Sequence, residues 1–277
     1  MTLRLGLIDY LNPAPFYWDL RQRLGNDTSF AADVPSQLNQ ALLEGRLDAA
    51  IVSSHFAIQH ADRFLIVPNA SVSARGAVRS VLLLSWAQEL RDLGGKDIAL
   101  TSSSSSSVCL LRLLLEEACS EPPRYRSVSP DPAAMLASAE AALIIGGGAL
   151  SEWVERREIA HPSGGLQRPV LHDLADEWLR WTGLPFTFAV WAVRREVAED
   201  LRALRFTDHL HASLAGGLAN LPELARRAAP GLGLAEEECL TYLQNLEYGL
   251  EGEFLEGLQE FARRAFPAPA TPRLEFL

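Results

Sequence analysis

The chain has 277 residues, 48% of them hydrophobic and 22% charged, and a formal net charge of −10 at pH 7. That length holds one large domain or two modest ones, and the composition is that of a folded globular protein rather than a disordered one. An acidic balance with no basic cluster argues against nucleic acid or an anionic membrane as partner. A small anion stays open, because backbone N–H groups and hydroxyls hold one whatever the net charge.

Three cysteines, Cys109, Cys119 and Cys239, lie far apart without CxxC spacing, which fits thiols packed as small hydrophobes in a reducing compartment. The amino-terminal MTLRLGLIDYLN has no basic region leading into a signal-type apolar core, and no apolar run approaches the ~20 residues of a membrane span. A cytoplasmic location is expected.

In chain order, residues 3–8 (LRLGLI) predict a buried strand that ends in the polar turn Asp9 to Pro13. Pro13 and Pro15 open a predicted helix through residues 16–20. Residues 35–43 carry apolar side chains at helical spacing, and Gly45 stops that helix. Residues 47–52 predict a second buried strand, followed at once by Ser53 and Ser54. A third strand is predicted over 78–85, a helix over 87–93 and a fourth strand over 97–100. Six serines, 102–107, come next, before a helix of strong formers over 108–118. Residues 141–145 predict a fifth strand, ending in Gly146, Gly147 and Gly148. A polar segment at 171–178 enters a short helix. Residues 186–193 are strongly β-prone, residues 196–266 are mostly helical by pattern, and a proline-rich tail runs from 267 to 272.

Alternating strands and helices indicate an α/β architecture, in which ligands bind beyond the carboxyl ends of the strands. Asn12, Ser54, the serine run and the triple glycine all follow predicted strand ends. If the strands at 78–85 and 186–193 both cross between lobes, the chain divides into a discontinuous first lobe, 1–83 with 190–277, and an inserted second lobe, 84–189. A cleft between lobes is a preferred ligand site.

The serine run could be a solvated linker. Its position, between a strand and a helix with no spacer on either side, favours an anion-holding loop at a helix start instead, with Ser106 and Ser107 the best placed. The amide of Asn12 can both donate to and accept from a substrate hydroxyl or carboxylate. Ser80 opens the first presumed crossing strand, and Gly146 and Gly147 would let backbone approach a ligand closely. The six histidines fall outside these loops, His55 beside Ser54 excepted, and are read as structural. No P-loop, dinucleotide fingerprint, GxSxG or HExxH pattern is present, so neither a cofactor nor a metal is expected.

Several segments together resemble the MqnA/MqnD family of menaquinone-biosynthesis enzymes, and within it the chorismate-dehydrating branch. They are Tyr10-Leu11-Asn12 with Pro15, LLEGRLDAAIVSS (42–54), SVLLLS (80–85), SSSSV (104–108), LIIGGGAL (143–150) and DLADEWLRWTGLPFTFAVW (173–191). They span most of the chain in the family's order. The resemblance implies a two-lobed fold like the type II periplasmic binding proteins, with the ligand between the lobes. It also implies dehydration of chorismate to 3-[(1-carboxyvinyl)oxy]benzoate on the futalosine route. By that reading Asn12 and Ser80 hold the reacting groups, while Ser54, Ser104, Ser106 and Ser107 anchor carboxylates beside Gly146 and Gly147.

The sister branch, which makes 1,4-dihydroxy-6-naphthoate, is expected to place a histidine near Ile145-Gly146-Gly147, and none stands there. Two departures from the family pattern are visible. Gly147 stands where Asp is common, and Ser104 to Ser107 lack the usual basic residue and threonine. A non-catalytic anion-binding or sensor protein of the same fold remains an alternative, as does the sister enzyme.

Overall fold

The computed structural model describes residues 2–101 and 105–277. The chain enters through β1 (Leu3–Ile8), a 3-10 turn (Ala14–Tyr17) and a short α1 (Leu20–Leu24). The expected helix over 16–20 is therefore broken at Trp18 and Asp19. It continues through β2 (Thr28–Asp33), α2 (Pro35–Leu43), β3 (Ala49–Ser53), α3 (Ser54–Gln59) and β4 (Phe64–Ala74).

The chain then builds a second compact unit, residues 74–185. Its elements are β5 (Val81–Ser85), a 3-10 turn (Leu90–Leu93), β6 (Asp97–Leu100), α4 (Ser105–Ala118), β7 (Arg124–Ser127), α5 (Pro132–Leu136), β8 (Ala141–Ile145) and α6 (Gly146–Glu155). Two short strands follow, β9 (Ile159–Ala160) and β10 (Leu166–Gln167), then β11 (Val170–Asp173) and α7 (Leu174–Thr182). The chain returns to the first unit through β12 (Phe186–Arg194). It ends in a helical block, α8 (Ala198–Ala203), α9 (Phe206–Ala219), α10 (Leu221–Leu232), α11 (Glu236–Gln244) and α12 (Glu253–Ala265).

The first unit, residues 1–73 with 186–277, carries a five-stranded sheet in the order β2-β1-β3-β12-β4. β1 runs parallel to β2 and β3, and β12 runs antiparallel to β3. A buried charge pins the register. Asp48 is fully buried and takes the Arg4 main-chain N–H at 2.9 Å, Arg4 Nε at 3.0 Å and Arg4 Nη2 at 2.5 Å, while its own carbonyl accepts from Arg194 N–H at 3.0 Å. The core centres on Trp191, fully buried, whose ring meets Phe16, Tyr17 and Phe206 edge-on. Hydroxyls stitch β4 to β12: Ser73 donates to Thr187 Oγ1 at 2.9 Å, and Ser71 lies 2.9 Å from Ser73.

The second unit has a sheet ordered β11-β5-β8-β6-β7. β6 is parallel to β7 and β8, whereas β5 is antiparallel to β8 and to β11. Thus β5 is a central strand of this sheet, with Leu82, Leu83 and Leu84 fully buried, and does not cross between units. The divisions fall after Ser73 and before Phe186, earlier in the chain at both points than the expected 83/84 and 189/190. The physical reason is β4, an edge strand of the first sheet that reaches Ala74, so that the chain leaves the first unit at its end. The turn at 77–80 then feeds β5 into the second.

Candidate functional site

In the first unit, β1 and β3 are parallel neighbours, so the turn holding Asn12 and the start of α3 emerge at one end of the sheet. Asn12 is half-buried, and its main-chain oxygen accepts from Tyr248 Oη at 2.9 Å. The turn behind it is fixed by Phe16, packed edge-on against Tyr248, and by Tyr17, whose hydroxyl accepts from Ile8 N–H at 3.2 Å. Burial raises the pKa values of both tyrosines well above the usual phenol range, so both stay neutral. The Asn12 side-chain amide makes no hydrogen bond among the described residues.

Ser53, rather than Ser54, caps α3, its hydroxyl accepting from Phe56 N–H at 3.4 Å. Ser54 is fully buried and donates its hydroxyl to the Thr187 carbonyl at 2.7 Å. With that proton committed, Ser54 acts on its surroundings by holding β12 against the start of α3.

In the second unit, register brings the remaining residues together. β6 and β8 are parallel and end side by side. β5 runs the other way, with Val81 opposite Ile145, so the start of β5 meets the end of β8. Ser80 is buried and its carbonyl accepts from Gly146 N–H at 2.8 Å. Gly146 has φ +69°, a conformation that glycine adopts without a Cβ penalty. The triple glycine is the first turn of α6 rather than an open loop, and Gly147 sits half-buried within it.

The serines also differ from expectation. Helix α4 starts at Ser105, so Ser106 and Ser107 are buried residues of its first turn and not of a preceding loop. Serine tolerates the first turn because donors there have no intrahelical partner. Ser104 lies outside the described residues.

Residues 3–267 match the family model described as menaquinone biosynthesis. The chain belongs to this family. It is 36% identical over 273 residues to a chorismate dehydratase of Thermus thermophilus, covering 97% of this chain and 96% of that protein. Among solved structures it is similar to a structural-genomics protein of Archaeoglobus fulgidus, with TM-score 0.75, 18% identity and coverage of 95% and 96% of the two chains. It also matches the alkanesulfonate-binding protein SsuA of Xanthomonas axonopodis, with TM-score 0.68, 15% identity and coverage of 98% and 94%. At those identities the structural matches speak for the fold, which is that of the periplasmic binding proteins.

Within this family member, sequence reasoning missed one residue that organises the second-unit cluster. Asp173, 5% exposed, ends β11 and caps α7, accepting from Ala175 N–H at 3.0 Å and Asp176 N–H at 3.3 Å. It also takes Val78 N–H at 3.1 Å and Arg79 N–H at 2.6 Å from the turn before Ser80. Burial pushes its carboxyl up to about 6, against four N–H donors that favour the anion. The signal was present as Asp-Leu-Ala-Asp ahead of an amphipathic helix, an N-cap pattern. The contacts to residues 78 and 79 come from topology.

A groove of about 650 Å³ in the same unit is lined by Trp153, Arg156, His172, Asp173 and Arg180, among others, but by none of the predicted site residues among those described. Among the described residues no group of three or more His, Cys, Asp or Glu side chains is placed to hold a metal, and no helix is long and apolar enough to cross a membrane.

Proposed function

We propose that this chain is a chorismate dehydratase of menaquinone biosynthesis, a carbon–oxygen lyase that converts chorismate to 3-[(1-carboxyvinyl)oxy]benzoate and water. The observation that carries the proposal is the 36% identity, over almost the whole of both chains, to the Thermus thermophilus chorismate dehydratase. The three thiols are unpaired, which supports a reducing, cytoplasmic setting.

The reaction removes the ring hydroxyl and a ring proton, and the ring becomes aromatic. The driving force therefore lies in the substrate, and positioning is the main task of the protein, worth about 7–11 kcal/mol where geometry is good. Asn12, with an uncommitted amide beyond β1, and Ser80 hold the reacting groups. Ser106 and Ser107, in the first turn of α4, and Ser104, which precedes it in sequence, anchor carboxylate oxygens at the positive end of that helix. Gly146 and Gly147 allow close approach of the α6 backbone, and Ser54 holds the α3 start in place. No carboxylate or histidine of the chain stands among these residues. The enolpyruvyl carboxylate of chorismate itself is assigned as the base that takes the ring proton.

Incubating pure protein with chorismate, and following aromatic absorbance and a product one water lighter, tests the proposal. Tight binding without turnover would instead identify a non-catalytic member of the fold.

A further inference from the structure

We propose that Asp173 is a positioning residue of the substrate site, acting through the Val78–Arg79 turn to fix Ser80 and, through Ser80, the first amide of α6. The two carboxylate oxygens divide the work. Oδ1 accepts from Val78, Ala175 and Asp176 N–H, whereas Oδ2 accepts from Arg79 N–H alone, at 2.6 Å. Oδ1 thus serves the α7 cap and Oδ2 serves the turn.

The turn needs that hold. Arg79 sits at φ +64°, a left-handed conformation that a residue with a Cβ adopts only under constraint. Its Nε is buried with no hydrogen-bond partner among the described residues, and its guanidinium lies 5.9 Å from the Trp153 ring, so the side chain offers the turn little anchorage. The Oδ2 bond is the direct tie on the Arg79 main chain. The next residue, Ser80, receives Gly146 N–H at 2.8 Å, and Val81 opens β5 opposite Ile145. One buried carboxylate therefore sets two of the backbone segments assigned to the substrate site, from 95 positions away in sequence. Its effect on turnover rests on the dehydratase reading; its hold on the turn does not.

Asp173→Asn separates the two duties. With its oxygen on the three-donor side the amide keeps the α7 cap, while its NH₂ faces Arg79 N–H, donor against donor. The expected result is a fall in kcat for chorismate of about tenfold or more, the scale of one lost charge-assisted hydrogen bond, with KM changed by less than about twofold. Amide exchange at Gly146 accelerates while α7 stays protected. Arg79→Gly supplies a residue at ease with positive φ, so in that background the Asp173→Asn loss of kcat shrinks to about twofold or less. Asp131→Ala, which removes the two-donor cap of α5 in the same unit, controls for general destabilisation and leaves kcat unchanged. Unaltered Gly146 exchange in Asp173→Asn overturns the proposal, as does an equal loss of kcat in both backgrounds or the same loss in Asp131→Ala. If the wild-type protein leaves chorismate unchanged, the dehydratase reading fails, and the exchange measurement alone still decides the role of Asp173.

Discussion

Gly217 offers a sharp test of how the Asn12 turn is held. It lies in α9, packed on the 3-10 turn at Ala14–Tyr17, and a Cβ at this position would stand 2.2 Å from the Pro15 carbonyl oxygen and 2.5 Å from Pro15 Cα. Both are main-chain atoms, so no side chain can swing aside. Restoring ordinary contact requires the turn and α9 to part by about 1 Å, and overpacking of this kind costs about 1–3 kcal/mol. With backbone on both sides the upper end applies, near 3 kcal/mol, and alanine returns about 1 kcal/mol of helix propensity. Gly217→Ala is therefore expected to destabilise the protein by about 2 kcal/mol, a fall in Tm of about 3–4 °C by calorimetry for a chain of this length. The Asn12 turn moves with Pro15, so kcat/KM for chorismate falls as well. Gly231→Ala is the matched control, since that exposed helical glycine has nothing within 4 Å of the added methyl group, and it should gain up to about 1 kcal/mol. A Gly217→Ala protein that melts at or above the wild-type temperature and keeps wild-type kcat/KM would refute the reasoning.

Three further outcomes are expected. Asn12→Ala should lower kcat/KM by about a hundredfold while leaving Tm within a degree or two, because its side chain makes no internal bond; steady-state kinetics with a melting curve decide this. Asp48→Ala removes the buried acceptor of the Arg4 main-chain N–H and guanidinium; because the Arg4 side chain is 42% exposed and can resolvate, the cost in urea denaturation should be about 2–3 kcal/mol. His55, stacked on Phe266 at 5.1 Å, has its pKa lowered by burial and then by His60. A folded-state pKa below the unfolded value means the unfolded chain gains the proton first as pH falls. Stability should therefore drop from pH 7.5 to 5.5, and the Tm-versus-pH slope should flatten in His55→Leu.

The elements legible in the sequence are those whose own residues decide them. β1, β6, β8 and α2 are apolar runs or helical stripes bounded by turn residues, and each stands at its expected place. β4 escapes such a reading because Pro68, Asn69, Ser71 and Ser73 interrupt its apolar character; these polar groups are satisfied by β12 and by residues 247–250, which are distant in sequence. β2 and β7 are edge strands with mostly exposed side chains, so they carry little hydrophobic signal of their own. Asn12 and Gly146 do follow the ends of β1 and β8, as the predicted strands place them, and Ser80 precedes β5. The strand-end rule could not show that Ser54 spends its proton on Thr187, nor that Asp173 reaches Arg79, since both depend on strands meeting across more than ninety residues.

The adjacency of β4 and β12 has a consequence for how the molecule assembles. The whole second unit is, for the first sheet, a connection between two neighbouring strands, with Ser73 and Thr187 joined by a hydrogen bond at its neck. Closing that neck over an unfolded connection of this length would cost on the order of 4 kcal/mol in chain entropy. The second unit is continuous in sequence and has its own buried core around Leu82, Leu84, Ala142 and Ile144, so it is able to form before the neck closes. Once formed, it replaces a long floppy loop by a short, ordered one. The order of folding thus favours the insertion first and its host second.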